Sequence, residues 1–138
     1  MAQPLAANTW IQQTLANDVT LAGLVGDRIY EDVADRDAVY PLVVYHLQDA
    51  NDTNGVAGAR ILERELYTVK VVGRDTSYLP LKSIYARVDA LLHRQGGKTG
   101  DGDQVKCVRE SSIKFVSVED GLEYRHLGGL YRLWIISA

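Results

Sequence analysis

The chain has 138 residues, 46% of them hydrophobic and 24% charged, which suits one globular domain spanning residues 1–138 and excludes disordered, collagen-like and disulfide-scaffold classes. A chain of this length buries about two-thirds of its unfolded surface, so it folds without a metal or disulfide staple. Cys107 is the single cysteine, so no intrachain bridge is available and nothing calls for an oxidising compartment. No run approaches the ~18 apolar residues of a membrane span, and the start at Met1 lacks the basic flank of a signal peptide. A soluble, unprocessed protein with no membrane partner is expected.

The net charge of −3, from 15 basic and 18 acidic side chains, is not the footprint of a nucleic-acid binder. Its distribution is uneven. Residues 1–69 carry four basic and ten acidic side chains, net −6, whereas residues 70–138 carry eleven and eight, net +3.

The first periodic segment runs from about Thr9 to Val25, with Trp10, Ile11, Leu15, Leu21, Leu24 and Val25 forming a helical stripe. Asn8 or Thr9 is placed to cap it, with Gln12 completing a capping box. Asn17-Asp18 interrupts the stripe and Gly26 ends it, giving two short helices or one kinked one. Arg28-Ile29-Tyr30 is extended, and a charged loop follows from Glu31 to Asp37. After Pro41, the run Leu42 to Leu47 has no polar residue before His46 and reads as a central strand covered on both faces.

Asp49 to Ala59 has no apolar period and is expected to form a hairpin loop or mobile arm. Arg60 to Gly73 is the longest strand candidate: Tyr67, Val69 and Val71 share one face, Leu66, Thr68, Lys70 and Val72 the other. Its charged beginning, Arg60, Glu63, Arg64 and Glu65, would project past the domain edge. The clearest helix spans Leu79 to Arg94, with Pro80 in the first turn, Leu81, Ile84, Val88, Leu91 and Leu92 on its buried face, and Gly96-Gly97 as its stop. Gln95 to Gln104 is then a polar glycine-rich loop. Strands follow at Val105 to Val118 and Leu130 to Ser137, with Asp120-Gly121 as the turn and Leu122 to His126 free to extend either one. The order α-β-β-α-β-β predicts an α+β fold: an antiparallel sheet of about four strands with two helices on one face.

Motifs for chemistry fail one by one. Gly97-Lys98-Thr99 lacks the earlier glycine of a phosphate loop and follows a helix rather than a strand. A calcium loop starting at Asp49 would put Asn54 at the obligatory glycine and Arg60 at the bidentate glutamate. His46, His93 and His126 have no paired spacing for a metal, and Cys107 alternates with Val105 as a buried, inert thiol. The acidic group Asp27, Glu31, Asp32, Asp35 and Asp37 is interrupted by Arg28 and Arg36, the pattern of a solvated loop. The tryptophans and tyrosines are not interleaved with a basic run, as base stacking requires. No catalytic, cofactor or metal residues are assigned. The segments left for a function are surfaces: Asp49, Asn51, Asp52, Asn54, Arg60, Glu63, Arg64 and Glu65 are the candidate interaction residues.

Several landmarks in one order carry a resemblance. They are Gly26-Asp27-Arg28-Ile29-Tyr30, Tyr40-Pro41-Leu42-Val43-Val44-Tyr45, the strand Leu66 to Gly73, the helix Leu79 to Leu92, the strand around Cys107, and the ending His126 to Ile135. Together they resemble the tail terminator proteins of long-tailed bacteriophages, also called tail-completion or head-tail joining proteins. The resemblance implies a non-enzymatic virion subunit, assembled in the host cytoplasm into a hexameric ring at the head-proximal end of the tail tube. Its implied partners are copies of itself, the tail tube protein and a head connector or neck protein. It implies no cofactor and no sequence-specific nucleic acid. The alternatives are a head-completion or neck subunit of the same particle, a small-molecule-binding regulatory domain with a similar plan, and, more distantly, a metal-dependent nuclease. A deep apolar pocket would favour the regulatory domain, and converging acidic residues the nuclease.

Overall fold

The computed structural model describes residues 5–54, 60–74 and 76–136. Helix α1 (Ala6–Ala16) and helix α2 (Val19–Val25) are separated at Asn17-Asp18. The Asp18 carboxylate accepts the Leu21 N–H at 2.8 Å and caps α2, and Gly26 leaves it with φ +60°. The start of α1 differs from expectation. Asn8 and Thr9 lie inside the helix, and Leu5 stands at the cap with no side-chain bond. The polar side chains of this segment are engaged across the fold instead: Asn8 donates to Glu31 at 2.9 Å, and Gln12 accepts the Tyr45 hydroxyl at 2.8 Å.

Among the described residues six strands form one mixed sheet where about four antiparallel ones were expected, and three helices pack with it rather than two. The strands are β1 (Ile29–Glu31), β2 (Leu42–Asn54), β3 (Arg60–Gly73), β4 (Gln95–Lys98), β5 (Gln104–Glu119) and β6 (Leu122–Ile136), and α3 (Leu79–Leu92) lies between β3 and β4. Their order in the sheet is β1-β2-β3-β6-β5-β4, with β1 parallel to β2 and every other pair antiparallel. The first half of the chain thus builds one side of the sheet, and the second half the other.

The two additional strands are short edges. Arg28 to Tyr30 was expected to be extended, and as β1 it joins the sheet. The segment read as a loop after α3 begins as β4, and Gly96-Gly97 lie in that strand instead of stopping the helix. Any side chain on Gly96 would collide with the Val105 carbonyl of β5, so glycine serves here for close approach of two strands. β2 runs on through Asn54, so the first half of the expected Asp49–Ala59 arm is paired with β3. Residues 55–59 lie outside the described residues. A bulge between Leu47 and Asp49 keeps the polar end of β2 in register. Leu122 to His126 extend β6, and the Asp120-Gly121 turn has positive φ at both positions, 51° and 77°, the geometry of a two-residue hairpin.

Alternate residues of the strands, Val43 and Tyr45, Tyr67, Val69 and Val71, Val105 and Cys107, and Tyr131, Leu133 and Ile135, face the helices. They bury with Trp10, Ile11, Leu15, Leu21, Leu81, Ile84, Val88 and Leu92 in the main core. The sheet curls around this layer. α1 spans its concavity: Asn8 reaches Glu31 beside β1, while Trp10 Nε1 stands 3.2 Å from where a Cβ on Gly97 of β4 would be. Among the described residues the opposite face carries no helix. At one end the 31–41 segment folds over it, packing Ala34, Ala38 and Tyr40 on Leu42, Val44 and Val72. Arg28 holds that segment by donating to the Pro41 carbonyl at 3.0 Å.

Candidate interaction surface

The residues with chemical potential are locked into structure. Cys107 is buried, and burial pushes its thiol up to about 12, far from a reactive thiolate. His93 accepts the Arg109 backbone N–H at 3.0 Å. His126 stacks on Phe115 with ring centroids 4.2 Å apart and meets the Ser117 hydroxyl at 2.8 Å. Burial first, and the nearby Lys70 ammonium second, lower its pKa to about 4. The same two causes lower that of His46. Asp27, Asp35 and Asp37 line an open depression together with Arg28 and Arg36. Among the described residues no three His, Cys, Asp or Glu side chains are grouped to hold a metal ion.

A buried polar chain missed in the sequence joins α3 to the sheet. The Tyr85 and Tyr131 hydroxyls lie 2.9 Å apart, and Tyr131 donates to Asp89 at 2.7 Å. Arg109 stands 3.4 Å from the same carboxylate. Gly129 leaves room for it, because a Cβ there would stand 2.6 Å from the Tyr85 hydroxyl. The i,i+4 spacing of Tyr85 and Asp89 on the helix was the available sequence signal. The arrangement fixes the helix on the strands and offers no nucleophile.

The eight candidate interaction residues all lie at the outer end of the β2–β3 hairpin. Asp52 pairs with Glu63, Asn51 with Arg64, Ala50 with Glu65, and Asn54 with Arg60. The alternation divides Glu63, Arg64 and Glu65 between two faces. Glu63 and Glu65 stand opposite Ile135 and Leu133 on the helix-facing side, whereas Arg64 stands opposite Trp134 on the helix-free side. There Asp49, Asn51, Arg64, Glu110, Arg132 and Trp134 line a shallow depression of about 330 Å³, with Arg132 donating to Glu110 at 2.9 Å. Asn51 donates to Asp49 at 3.2 Å. This end of the face has no covering segment among the described residues, and half-exposed Leu62, Leu66, Leu130 and Trp134 remain on it with exposed Ile136.

The fold also turns the charge imbalance into a direction. Strands β1, β2 and β3 come almost wholly from the half with net −6, and β6, β5 and β4 from the half with net +3. On the strands themselves Glu31, Asp49 and Asp52 make β1 and β2 net negative, whereas β3, β6, β5 and β4 each carry a net charge of +1, so charge changes sign between β2 and β3.

The sequence matches the family model described as tail completion protein gp17 over residues 9–127. The chain belongs to the gp17 tail-completion family. It is a structural protein of the phage tail, as the ordered landmarks from Gly26 to Ile135 implied. No curated protein matches the sequence. Among solved structures, a chain of the virion of a native gene transfer agent particle is 19% identical, covers 96% of both chains and superposes with a TM-score of 0.76. A second solved chain, 16% identical with the same coverage, gives 0.64. Both share the fold of this gp17-family chain. No helix among the described residues is long and apolar enough to cross a membrane.

Proposed function

We propose that this gp17-family protein forms a ring on the head-proximal end of the tail tube, ends tube polymerisation and presents the surface to which the filled head attaches. The observation that carries the proposal is the family match over residues 9–127. The likeness of fold to a subunit of a gene transfer agent virion, itself a particle, supports it. The reversal of charge across the sheet supports the ring, because a ring is built from heterologous contacts between two different surfaces of one subunit. Its partners would be copies of itself, the tail tube protein and a head connector or neck protein. In this reading the outer end of the β2–β3 hairpin, from Asp49 to Asn54 and from Arg60 to Glu65, docks on a partner and is ordered further when it does. Capping by complementary surfaces needs no catalysis.

Particles assembled without this protein test the proposal by electron microscopy. A terminator predicts over-long tails with no heads attached, and adding the purified protein to tube growing in vitro should fix its length. Tails of normal length that fail only to join heads would replace this reading with a neck or head-completion subunit.

A further inference from the structure

We infer that copies of this chain join edge to edge through two stepped sheet edges, β4 and β5 of one copy interlocking with β1 and β2 of the next. The inference deepens the ring proposal and rests on it.

The register shows the steps. Asn51, Arg64, Trp134 and Lys106 form one row across the sheet; Leu42, Val72, His126 and Phe115 form another, nearer the opposite end of the strands. On one edge β1 covers β2 only at Val43–Tyr45, beside the Phe115 row. The rest of β2, towards Asn51, is the outermost described strand. On the other edge β4 covers β5 only at Gln104–Cys107, beside the Lys106 row. There β5 is outermost from Val108 to Glu119. Each edge therefore projects by one strand, about 4.8 Å, where the other is recessed.

Strand direction agrees with this fit. Three antiparallel steps lead from β2 to β5, so β5 runs opposite to both β2 and β1, while β4 runs with β2. A neighbour with its strands in the same sense would place β1 antiparallel beside the bare part of β5, and β4 parallel beside the bare part of β2. Both pairings are ordinary sheet geometry.

The bare part of β5 has little protection against such addition. From Ser111 to Val118 it contains one charged residue, Lys114, and no proline or glycine, and Phe115, Val116 and Val118 are exposed. Long apolar edges of this kind pair with other strands unless they are blocked. Charge selects the unlike edge as the partner. β4 is flanked and ended by exposed Arg94 and Lys98, and the bare β2 edge carries exposed Asp49; Glu31 and Asp32 beside β1 would approach Lys114. Two like edges related by a two-fold turn would instead set Arg94 and Lys98 of β4 beside Lys114 of the second β5, or Glu31 and Asp32 beside the second copy's Asp49.

The full-length protein, bearing single cysteines at Ala50→Cys or Gln95→Cys, tests this at concentrations up to millimolar, because the register sets these two exposed residues level on one face. Buried Cys107 supplies little background. Mixing the two variants should give a disulfide-linked dimer that neither forms alone, and Ala50→Cys/Gln95→Cys in one chain should give a ladder that ends in a closed species. Arg94→Glu, at the residue level with Asp49, should weaken association by about three- to tenfold, the range of one or two exposed ion pairs, and Arg94→Glu/Asp49→Lys should restore it. Val116→Lys/Val118→Lys, at two exposed positions, should abolish association with the fold intact. Wild-type association with no mixed cross-link, or with like-to-like cross-links, would overturn the interlocking edges and leave the ring standing. A wild-type chain that stays monomeric throughout, with residues 111–118 exchanging amide hydrogens as a free edge, would overturn both.

Discussion

The two faces of the sheet are made by the same strands and obey different rules. On the helix-facing side, Tyr67, Val69, Tyr131, Leu133 and Ile135 are buried by α1, α2 and α3, and their contacts exist in an isolated subunit. On the helix-free side the described residues cover only one end, with the 31–41 segment, and leave Arg64, Lys106, Arg132 and Trp134 at the other. A sheet needs one buried face to fold. The second face is free to differ, and here its bare end coincides with the hairpin end proposed to dock on a partner. In the proposed function, stability belongs to the first face and docking on a partner to the bare end of the second.

Two adjacent residues should separate these roles. Leu133 is fully buried under the helices, and Leu133→Ala should cost about 3 kcal/mol, a lost side chain plus a cavity. Trp134 points the other way, and Trp134→Ala should change stability much less while weakening docking on tail tubes. Urea titration reads the first effect and co-sedimentation with tail tubes the second. If Trp134→Ala unfolds the subunit as readily as Leu133→Ala, the division of labour between the faces is wrong.

The polar chain inside the helix-packed face sharpens the same comparison. Tyr131→Phe removes the hydroxyl between Tyr85 and Asp89 and should destabilise by about 1–2 kcal/mol, because the buried Tyr85 hydroxyl and the part-buried Asp89 carboxylate both lose a partner. Association should not change beyond what the stability loss imposes.

Legibility in the sequence follows this division. The helix-facing side was readable because burial imposes period: β3 was placed from Arg60 to Gly73 with its faces correctly assigned, as were the break at Asn17-Asp18 and Pro80 in the first turn of α3. The turn at Asp120-Gly121 was readable from its chemistry. What was missed lies on edges. Gln95 to Lys98 form a strand with every residue exposed, so no apolar alternation marks it, and Gly96-Gly97 imitate a helix stop. The polar end of β2 was hidden likewise, since its register comes from pairing with β3 and not from its own hydrophobicity. Asn8 looked like a cap because its tertiary partner, Glu31, is distant in sequence. The candidate interaction residues meet at one hairpin end, and the division of Glu63, Arg64 and Glu65 between two faces needed the register.

The helix-free face makes a pH prediction of its own. His126 is held near pKa 4 by burial and by Lys70, so the folded state resists a proton that the unfolded chain accepts at about 6.5. The unfolded state then binds more protons between these values. Stability should be complete above about pH 6.5 and fall as the pH drops towards 4. His126→Gln, which cannot charge, should flatten that decline in thermal melts. An unchanged slope would mean that the ring, stacked on Phe115, is more open to water than its packing indicates.

The smallest expected effect lies within the helix layer. Asp18 caps α2 and accepts two bonds from Arg87 of α3, at 2.6 and 2.8 Å. That pairing chiefly, opposed by burial and aided by the Leu21 N–H, lowers its pKa to about 2. The sign is opposite in origin to that of His126 and equal in direction. A carboxylate whose folded pKa is depressed contributes stability that is present above its unfolded value, near 4, and is lost as the pH falls through about 2. Asn is as good an N-cap as Asp, so Asp18→Asn keeps the cap and removes the charge pairing. At neutral pH it should cost little, because Arg87 is partly exposed and screened. Its melting temperature should converge on the wild type between pH 4 and 2, a window below that of His126. A difference that persists at pH 2 would show that Asp18 acts through geometry alone, and that the joint between α2 and α3 owes nothing to charge.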